Sequence, residues 1–374
     1  MPVAKAARDV AVVGVGTTAW GSFPEIDSYA LGADALRAAL EDAGLGRNDI
    51  DGLVVSRIPS YERFAQIVGL DLRFVHYAPA EGRQSGISLQ VAVAAIEAGL
   101  AQTIALVYGN NGRSRRVSYG GEEDAVWAPW GFTSLGAEHA LMFRSHMLRY
   151  GTTSDQLAEV ALTFRQHAAL NPAAVMRKPL DRETYHAARF IVDPLRLYDY
   201  CLINDGGVAI IVTSGERARA LMKPPAYIRG MAQSASLASS AYPAEDCWYS
   251  SLQRCAQIVY EQSGIARSDV DGLMIYDNYS PVVLFALEGM GFAPRGESGV
   301  WIQGGRLRLG GEYPTNTNGG HLSESYMQGW ALNVEAVRQI RCECGLRQIQ
   351  GCRAVQYIAA TPISTTILYA SEPS

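Results

Sequence analysis

Residues 39–56 read ALEDAGLGRNDIDGLVVS, and residues 259–276 read VYEQSGIARSDVDGLMIY. Each passage is the end of a helix, a glycine stop, a short connection, then Asp, Ile or Val, Asp, Gly and a strand. Asp49 pairs with Asp269 and Asp51 with Asp271, an offset of 220 in both cases. Self-similarity at one fixed offset is the signature of a duplicated supersecondary unit. Around it, short apolar runs alternate with amphipathic stretches. The strand pattern DVAVVGVG (9–16) precedes the helical pattern SYALGADALRAALEDAGL (28–45), and LQVAVAAIEAGLAQTIALVYG (89–109) is a further helix followed by a buried strand. That order predicts an α/β protein whose sheet is covered on both faces.

A chain of 374 residues, 48% hydrophobic and 18% charged, can bury the core of one large or two ordinary domains. Its formal charge of -5 argues against a broad nucleic-acid surface, and Arg113, Arg115 and Arg116 form only a short basic cluster. The start, MPVAKAARDVAVVGVG, has no signal-peptide pattern, and no run of 18 apolar residues occurs, so a cytoplasmic protein with no membrane span is expected. The six cysteines (201, 247, 255, 342, 344 and 352) form no CxxC pair and no zinc spacing, which makes them reduced, buried or incidental thiols.

Between the repeated passages, residues 110–190 are rich in Trp, His and Arg and include WAPWGF (127–132). A helix is predicted from Ser154 to about Ala169, stopped near Asn171-Pro172. No Gly/Ser-rich or Pro-rich linker separates the halves, so one compact body is expected, divided into 1–220 with the insertion at about 110–190, and 221–374.

VAVVGVGTTAWG (10–21), SGISLQVAVAAIEAG (85–99), PLRLYDYCLINDGGVAIIV (194–212) and TNTNGGHLSESYMQG (315–329) together resemble the thiolase superfamily, above all its sterol-carrier type and thiolase-like members. The resemblance covers essentially the whole chain. It implies two duplicated βαβαβαββ halves in a five-layered α-β-α-β-α core with an inserted loop region, and a homodimer.

The departures from the thiolase pattern point to the chemistry. A thiolase holds a nucleophilic cysteine at the start of a buried helix, where the helix dipole and a base favour thiolate. Here the matching stretch is EGRQSGISLQ (81–90), Arg83 falls at the cysteine's place, and no cysteine precedes Tyr200. Ser85 is a poor substitute without a base. Where sterol-carrier thiolases have a His-Asp-x-Phe passage, this chain reads YDNYS, placing Tyr276 at the histidine. A second family histidine follows paired glycines, and counting from Gly319 and Gly320 puts Tyr326 there, with Ser325 in place of the usual glycine. This double exchange resembles the thiolase-like aldolases that remove steroid side chains, in which two tyrosines are the catalytic pair.

That likeness implies retro-aldol cleavage of a β-hydroxyacyl-CoA to a ketone or aldehyde and a shorter acyl-CoA, with Tyr276 and Tyr326 sharing the acid and base duties; Tyr326 as base and Tyr276 as donor is the order favoured, and the sequence leaves it open. It implies no cofactor in this chain, a CoA thioester as substrate, and a separate small OB-fold partner with a zinc ribbon. A phenol titrates near about 10, so a base role needs cations or donors, and Arg83 and His321 are candidates. Asp277 is read as orienting the site loop or capping a turn, Asp205 as a turn residue, and Glu324 as binding backbone or as a solvated carboxylate. Gly319, Gly320, Ser85 and Trp127 are candidate substrate or CoA contacts, and Trp127, Trp130 and Phe132 are candidates for selecting the carbonyl product. His139, His146, His167 and His186 have no metal spacing, and the glycines of GVGTTAWG do not complete a dinucleotide fingerprint. The alternatives are an acyltransferase or condensing enzyme, and an inert scaffold of the same fold.

Overall fold

Asp51 and Asp271 hold matching positions in two halves of one sheet. The computed structural model describes residues 9–117, 129, 134–235, 247–361 and 363–374. Its strands are β1 (Val10–Thr17), β2 (Gly52–Ser56), β3 (Phe74–Ala78), β4 (Thr103–Asn110), β5 (Phe190–Val192), β6 (Leu195–Arg196), β7 (Gly206–Ser214), β8 (Ala226–Ala235), β9 (Gly272–Ile275), β10 (Ala354–Ala359) and β11 (Ile363–Ala370). The Asp51 carboxylate accepts from the backbone N–H groups of Gln102 and Thr103, where β4 begins. The Asp271 carboxylate accepts from those of Arg353 and Ala354, where β10 begins. In each half an aspartate just ahead of one strand satisfies amides that the neighbouring parallel strand would leave unpaired.

The main sheet runs β3-β2-β4-β7-β1-β8-β11-β10-β9. From the middle outward, β1-β7-β4-β2 and β8-β11-β10-β9 follow one pattern: two antiparallel pairings, then a parallel one. The halves meet where β1 pairs with β8 at only two positions, Ala11 with Tyr227 and Val12 with Ala226. The duplication departs from strict symmetry at β3. Its counterpart is a single parallel bridge between Leu273 and Thr315, and the chain freed by that shortening leads directly into the loop 316–320.

Helices Gln84–Glu97 and Trp330–Ile340 each contact strands of both halves and form the central layer. Helix Ser28–Ala43 covers β1, β7 and β4 from outside, and helix Cys247–Ser263 covers β8 and β11. Alternation along the strands divides the core accordingly. Val10 and Val12 face the central cluster with Leu89, Trp330 and Ile367, whereas Ala11 and Val13 face Leu36 and Ala39. The result is the five-layered α-β-α-β-α arrangement. Gly14 and Gly16 serve that packing: a Cβ on either would overlap backbone of the Ser28–Ala43 helix. Between β4 and β7 the insertion carries helix Ser154–Ala169, closed at its start by reciprocal hydrogen bonds between Thr153 and Gln156.

Candidate active site

Tyr276 follows the last residue of β9, and its backbone N–H donates to Ile358 O at 2.8 Å. Tyr326 lies between the helical turn Gly320–Ser323 and helix Trp330–Ile340. Its backbone N–H donates to Asn204 Oδ1 at 2.8 Å. The two phenols meet oxygen to oxygen at 2.8 Å, both buried. Packed phenols are common, but here the two hydroxyls share one hydrogen bond, in which either oxygen can donate.

Several local devices bring them together. Asn316, fully buried, pairs its side-chain amide with the backbone of Ile275: Oδ1 accepts from the N–H at 2.7 Å and Nδ2 donates to the carbonyl at 2.8 Å. The loop bearing Tyr326 is thereby pinned to the strand bearing Tyr276. Asp277 accepts from the N–H groups of His321 (2.8 Å) and Leu322 (3.2 Å), so it caps the turn and orients the site loop at once. Gly320 has φ 62°, and a Cβ there would overlap the Asp277 carboxylate. At Gly319, φ 109° and contact with Ala168 exclude a side chain as well. These two glycines shape the turn.

The His321 ring stands edge-on to both phenols, with centroids 4.7 Å from Tyr276 and 5.2 Å from Tyr326. Its Nε2 accepts from Gly329 N–H at 3.0 Å. A neutral ring then carries its proton on Nδ1, which lies 3.1 Å from an Asp277 oxygen, off the line of a hydrogen bond. His321 is a spacer between the tyrosines and the capping aspartate. On the other side, Gly82 closes against Tyr276, where a Cβ would overlap the phenol oxygen and Cζ.

Arg83 lies just ahead of helix Gln84–Glu97, and its guanidinium pairs with Glu81. A cation that does act on the Tyr326 phenol is Arg57, which with Gln328 lowers its value. Ser85 is fully buried, its hydroxyl 2.9 Å from that of Tyr357, so it braces the floor of the site. Glu324 corrects the solvated reading. Its side chain is buried, held by Asn171 Nδ2 at 2.9 Å and by Asn318, and burial, with Glu335 next, pushes its pKa up to about 8. Asp205 corrects the turn reading: it pairs with Gly21 in an antiparallel bridge just ahead of β7, and its buried carboxylate accepts from Phe23 N–H at 2.8 Å and from Ser114, partners distant in sequence. Trp127, Trp130 and Phe132 lie outside the described residues.

Burial pushes both phenols above their ordinary value. At Tyr276 burial is followed by Tyr326, Cys201 and Tyr357, every one of which raises it further. At Tyr326 burial and then Cys201 raise the value, while the hydrogen bonds from Tyr276 and Gln328 and the charge of Arg57 pull it back. The groups that oppose the effect of burial on Tyr326 are thus its partner phenol, Arg57 and Gln328. Arg57, Gln328, Gly82 and Asn316 escape sequence reading; the only trace of Asn316 is its place in TNTNGG. Among the described residues, no three His, Cys, Asp or Glu side chains converge as a metal site would require, and no helix is long and apolar enough to cross a membrane.

Two half-sheets folded over shared buried helices, with facing motifs from the second half, define the thiolase-like class. Residues 233–362 match the family model described as thiolase C-terminal domain-like. The chain is 35% identical to a steroid side-chain-cleaving aldolase of Thermomonospora curvata, over 88% of this chain and 90% of that protein. It is 32% identical to the 17-hydroxy-3-oxo-4-pregnene-20-carboxyl-CoA lyase of Mycobacterium tuberculosis, over 95% and 97%. A solved Ltp2-ChsH2(DUF35) aldolase superimposes with a TM-score of 0.92 at 32% identity, covering 98% of this chain and 99% of that one. The chain belongs to the family of thiolase-like aldolases that contains these proteins, and it is a carbon–carbon lyase of that superfamily.

Proposed function

We propose that the protein cleaves a β-hydroxyacyl-CoA, a steroid side-chain thioester, by a retro-aldol reaction run by Tyr326 and Tyr276. Tyr326 as phenolate takes the proton of the β-hydroxyl. The C–O bond becomes a carbonyl, the Cα–Cβ bond breaks, and its electron pair enters the thioester as an enolate. Tyr276 then gives its proton to Cα, releasing a ketone or aldehyde and a shorter acyl-CoA. After one turn Tyr326 holds a proton and Tyr276 lacks one. A single transfer across their shared hydrogen bond restores the start.

The observation that carries this reading is that 2.8 Å contact. Two isolated phenols would each need solvent to reset, whereas this pair can close the proton cycle across its own hydrogen bond. The names of the relatives add the substrate class, since in a 17-hydroxy-pregnene-20-carboxyl-CoA the hydroxyl-bearing carbon is β to the thioester carbonyl. Acyl transfer is disfavoured because Arg83 stands where a thiolase needs its cysteine.

The assembly we propose is a cytoplasmic homodimer joined by a separate small partner with an OB fold and a zinc ribbon. The aldolase–DUF35 pairing in the name of the similar structure supports a partner of this kind. The test is product analysis after incubation with 17-hydroxy-3-oxo-4-pregnene-20-carboxyl-CoA, with and without such a partner. A steroid ketone and a shortened acyl-CoA in equal amounts are expected. Formation of a longer acyl-CoA with release or consumption of free CoA would replace this reading by acyl transfer.

A further inference from the structure

Gln328, two residues beyond Tyr326, has a side-chain amide with every polar atom engaged. Its Oε1 accepts from Arg57 Nε at 3.1 Å and from the Tyr108 hydroxyl at 3.2 Å. Its Nε2 donates to Ala80 O at 3.0 Å. A guanidinium can only donate, so Arg57 dictates which end of the amide faces it. The NH2 end is thereby turned toward Ala80, and Gln328, two residues along the chain, is among the groups that lower Tyr326 against the effect of burial.

The backbone adds a second, independent observation. Arg57 has φ 58° and Gln328 φ 47°, the left-handed region that glycine or asparagine occupies at far lower cost. Two bulky residues thus hold strained conformations and bond to each other across 271 positions of sequence. A site needed only for chain geometry would be served better by glycine at both places. What glycine lacks is the guanidinium and the amide.

We infer that Arg57 and Gln328 are positioning residues which, acting through the Gln328 amide, hold Tyr326 as the phenolate end of the tyrosine pair and so decide which tyrosine is the base. This inference rests on the proposed retro-aldol reading. Of the other groups facing Tyr326, Cys201 from the segment ahead of β7 opposes that bias, His321 and Tyr279 stand beside the ring, and Tyr276 favours charge on Tyr326 only through the hydrogen bond the two phenols share. Two of these are phenols and one a thiol. Arg57 brings a permanent positive charge to bear on the Tyr326 phenol.

The test is the rate–pH profile of the full chain on 17-hydroxy-3-oxo-4-pregnene-20-carboxyl-CoA. Wild type is compared with Arg57→Met, Arg57→Gly, Arg57→Lys, Gln328→Glu and Tyr326→Phe. For Arg57→Met and Arg57→Gly, kcat at neutral pH falls about 10- to 100-fold and the rising limb moves up by about one pH unit, while KM stays within about threefold. Arg57→Lys keeps the charge and recovers most of the displaced limb. Gln328→Glu, which removes the donor and adds a negative charge, displaces the limb at least as far as Arg57→Met. Arg57→Gly relieves the backbone strain and melts at or above wild type, which separates loss of charge from loss of fold. A profile for Arg57→Met or Arg57→Gly that drops equally at every pH, or that superimposes on wild type, overturns the inference. Tyr326→Phe separates the two levels: wild-type turnover there sinks the retro-aldol reading itself, whereas an inactive Tyr326→Phe beside an unmoved Arg57→Met profile sinks only this inference.

Discussion

The hydroxyls of Tyr276 and Tyr326 lie 2.8 Å apart although 50 residues separate them in sequence. One sits at the mouth of β9 and the other beyond a glycine-rich turn, and the pairing of Asn316 with Ile275 sets their distance. Anything that moves either element by a fraction of an ångström lengthens the contact, and a hydrogen bond weakens steeply with misalignment.

Gly82 is the most sensitive neighbour. A methyl group there has no room beside the Tyr276 phenol, so Gly82→Ala must push either the ring or the 81–83 segment away. The expected loss in kcat is about 100-fold, consistent with what a small displacement costs at a reacting centre. In a Tyr276→Phe background the same substitution should cost little more, because the hydroxyl it displaces is already gone. Steady-state rates for the two single variants and the double variant measure this; full additivity would place the effect of Gly82 elsewhere.

The aspartates of the repeat give a stability prediction. Asp51→Ala and Asp271→Ala each strand backbone amides at the start of a parallel strand. Each should lower unfolding free energy by about 1–3 kcal/mol. They act in separate half-sheets with no shared partner, so the double variant should lose the sum within about 0.5 kcal/mol. Urea midpoints at constant m-value test it.

Glu324 predicts a pH effect with a definite sign. Its folded-state pKa is raised to about 8, whereas an unfolded glutamate titrates near about 4.3. Between those values the folded protein binds the proton and the unfolded chain does not. Stability from this group is full below the unfolded value and falls as pH rises toward the folded one. Glu324→Gln removes the titration, so its melting temperature relative to wild type should climb steadily from pH 5 to pH 8 and then level off. A difference that stays constant over that range would show that Glu324 ionises as readily in the folded protein as in the unfolded chain.

How much of this was legible in the sequence depends on whether a feature leaves a pattern along the chain. The 220-residue offset did, because the same helix-stop, aspartate and strand recur in both halves, and the turns Arg47–Asp49 and Arg267–Asp269 occupy it. Tyr326 stands out only against the thiolase pattern, by counting from Gly319 and Gly320 to the place of a family histidine. The shrinkage of the β3 counterpart to one bridge at Thr315 left no trace, since a lost strand and an ordinary loop look alike in composition. Arg57 and Gln328 stayed hidden because a positive φ at a bulky residue has no sequence signature. Glu324 reads as binding backbone or as solvated because neither the distant Asn171, 153 positions away, nor the nearby Asn318 marks a buried partner in the sequence. Arg83 drew notice by its place in a motif, yet Glu81, two residues earlier, engages its charge.

The central claim is that two tyrosines move the protons of a carbon–carbon cleavage. Single-turnover reactions in D2O test it most directly, comparing wild type with Tyr276→Phe and Tyr326→Phe at matched melting temperature. Wild type should yield the carbonyl product and a shortened acyl-CoA carrying one deuterium at its α-carbon, and each variant should be slower by about 100- to 10,000-fold. Wild-type rates in either variant, or a shortened acyl-CoA without the label, would contradict the account.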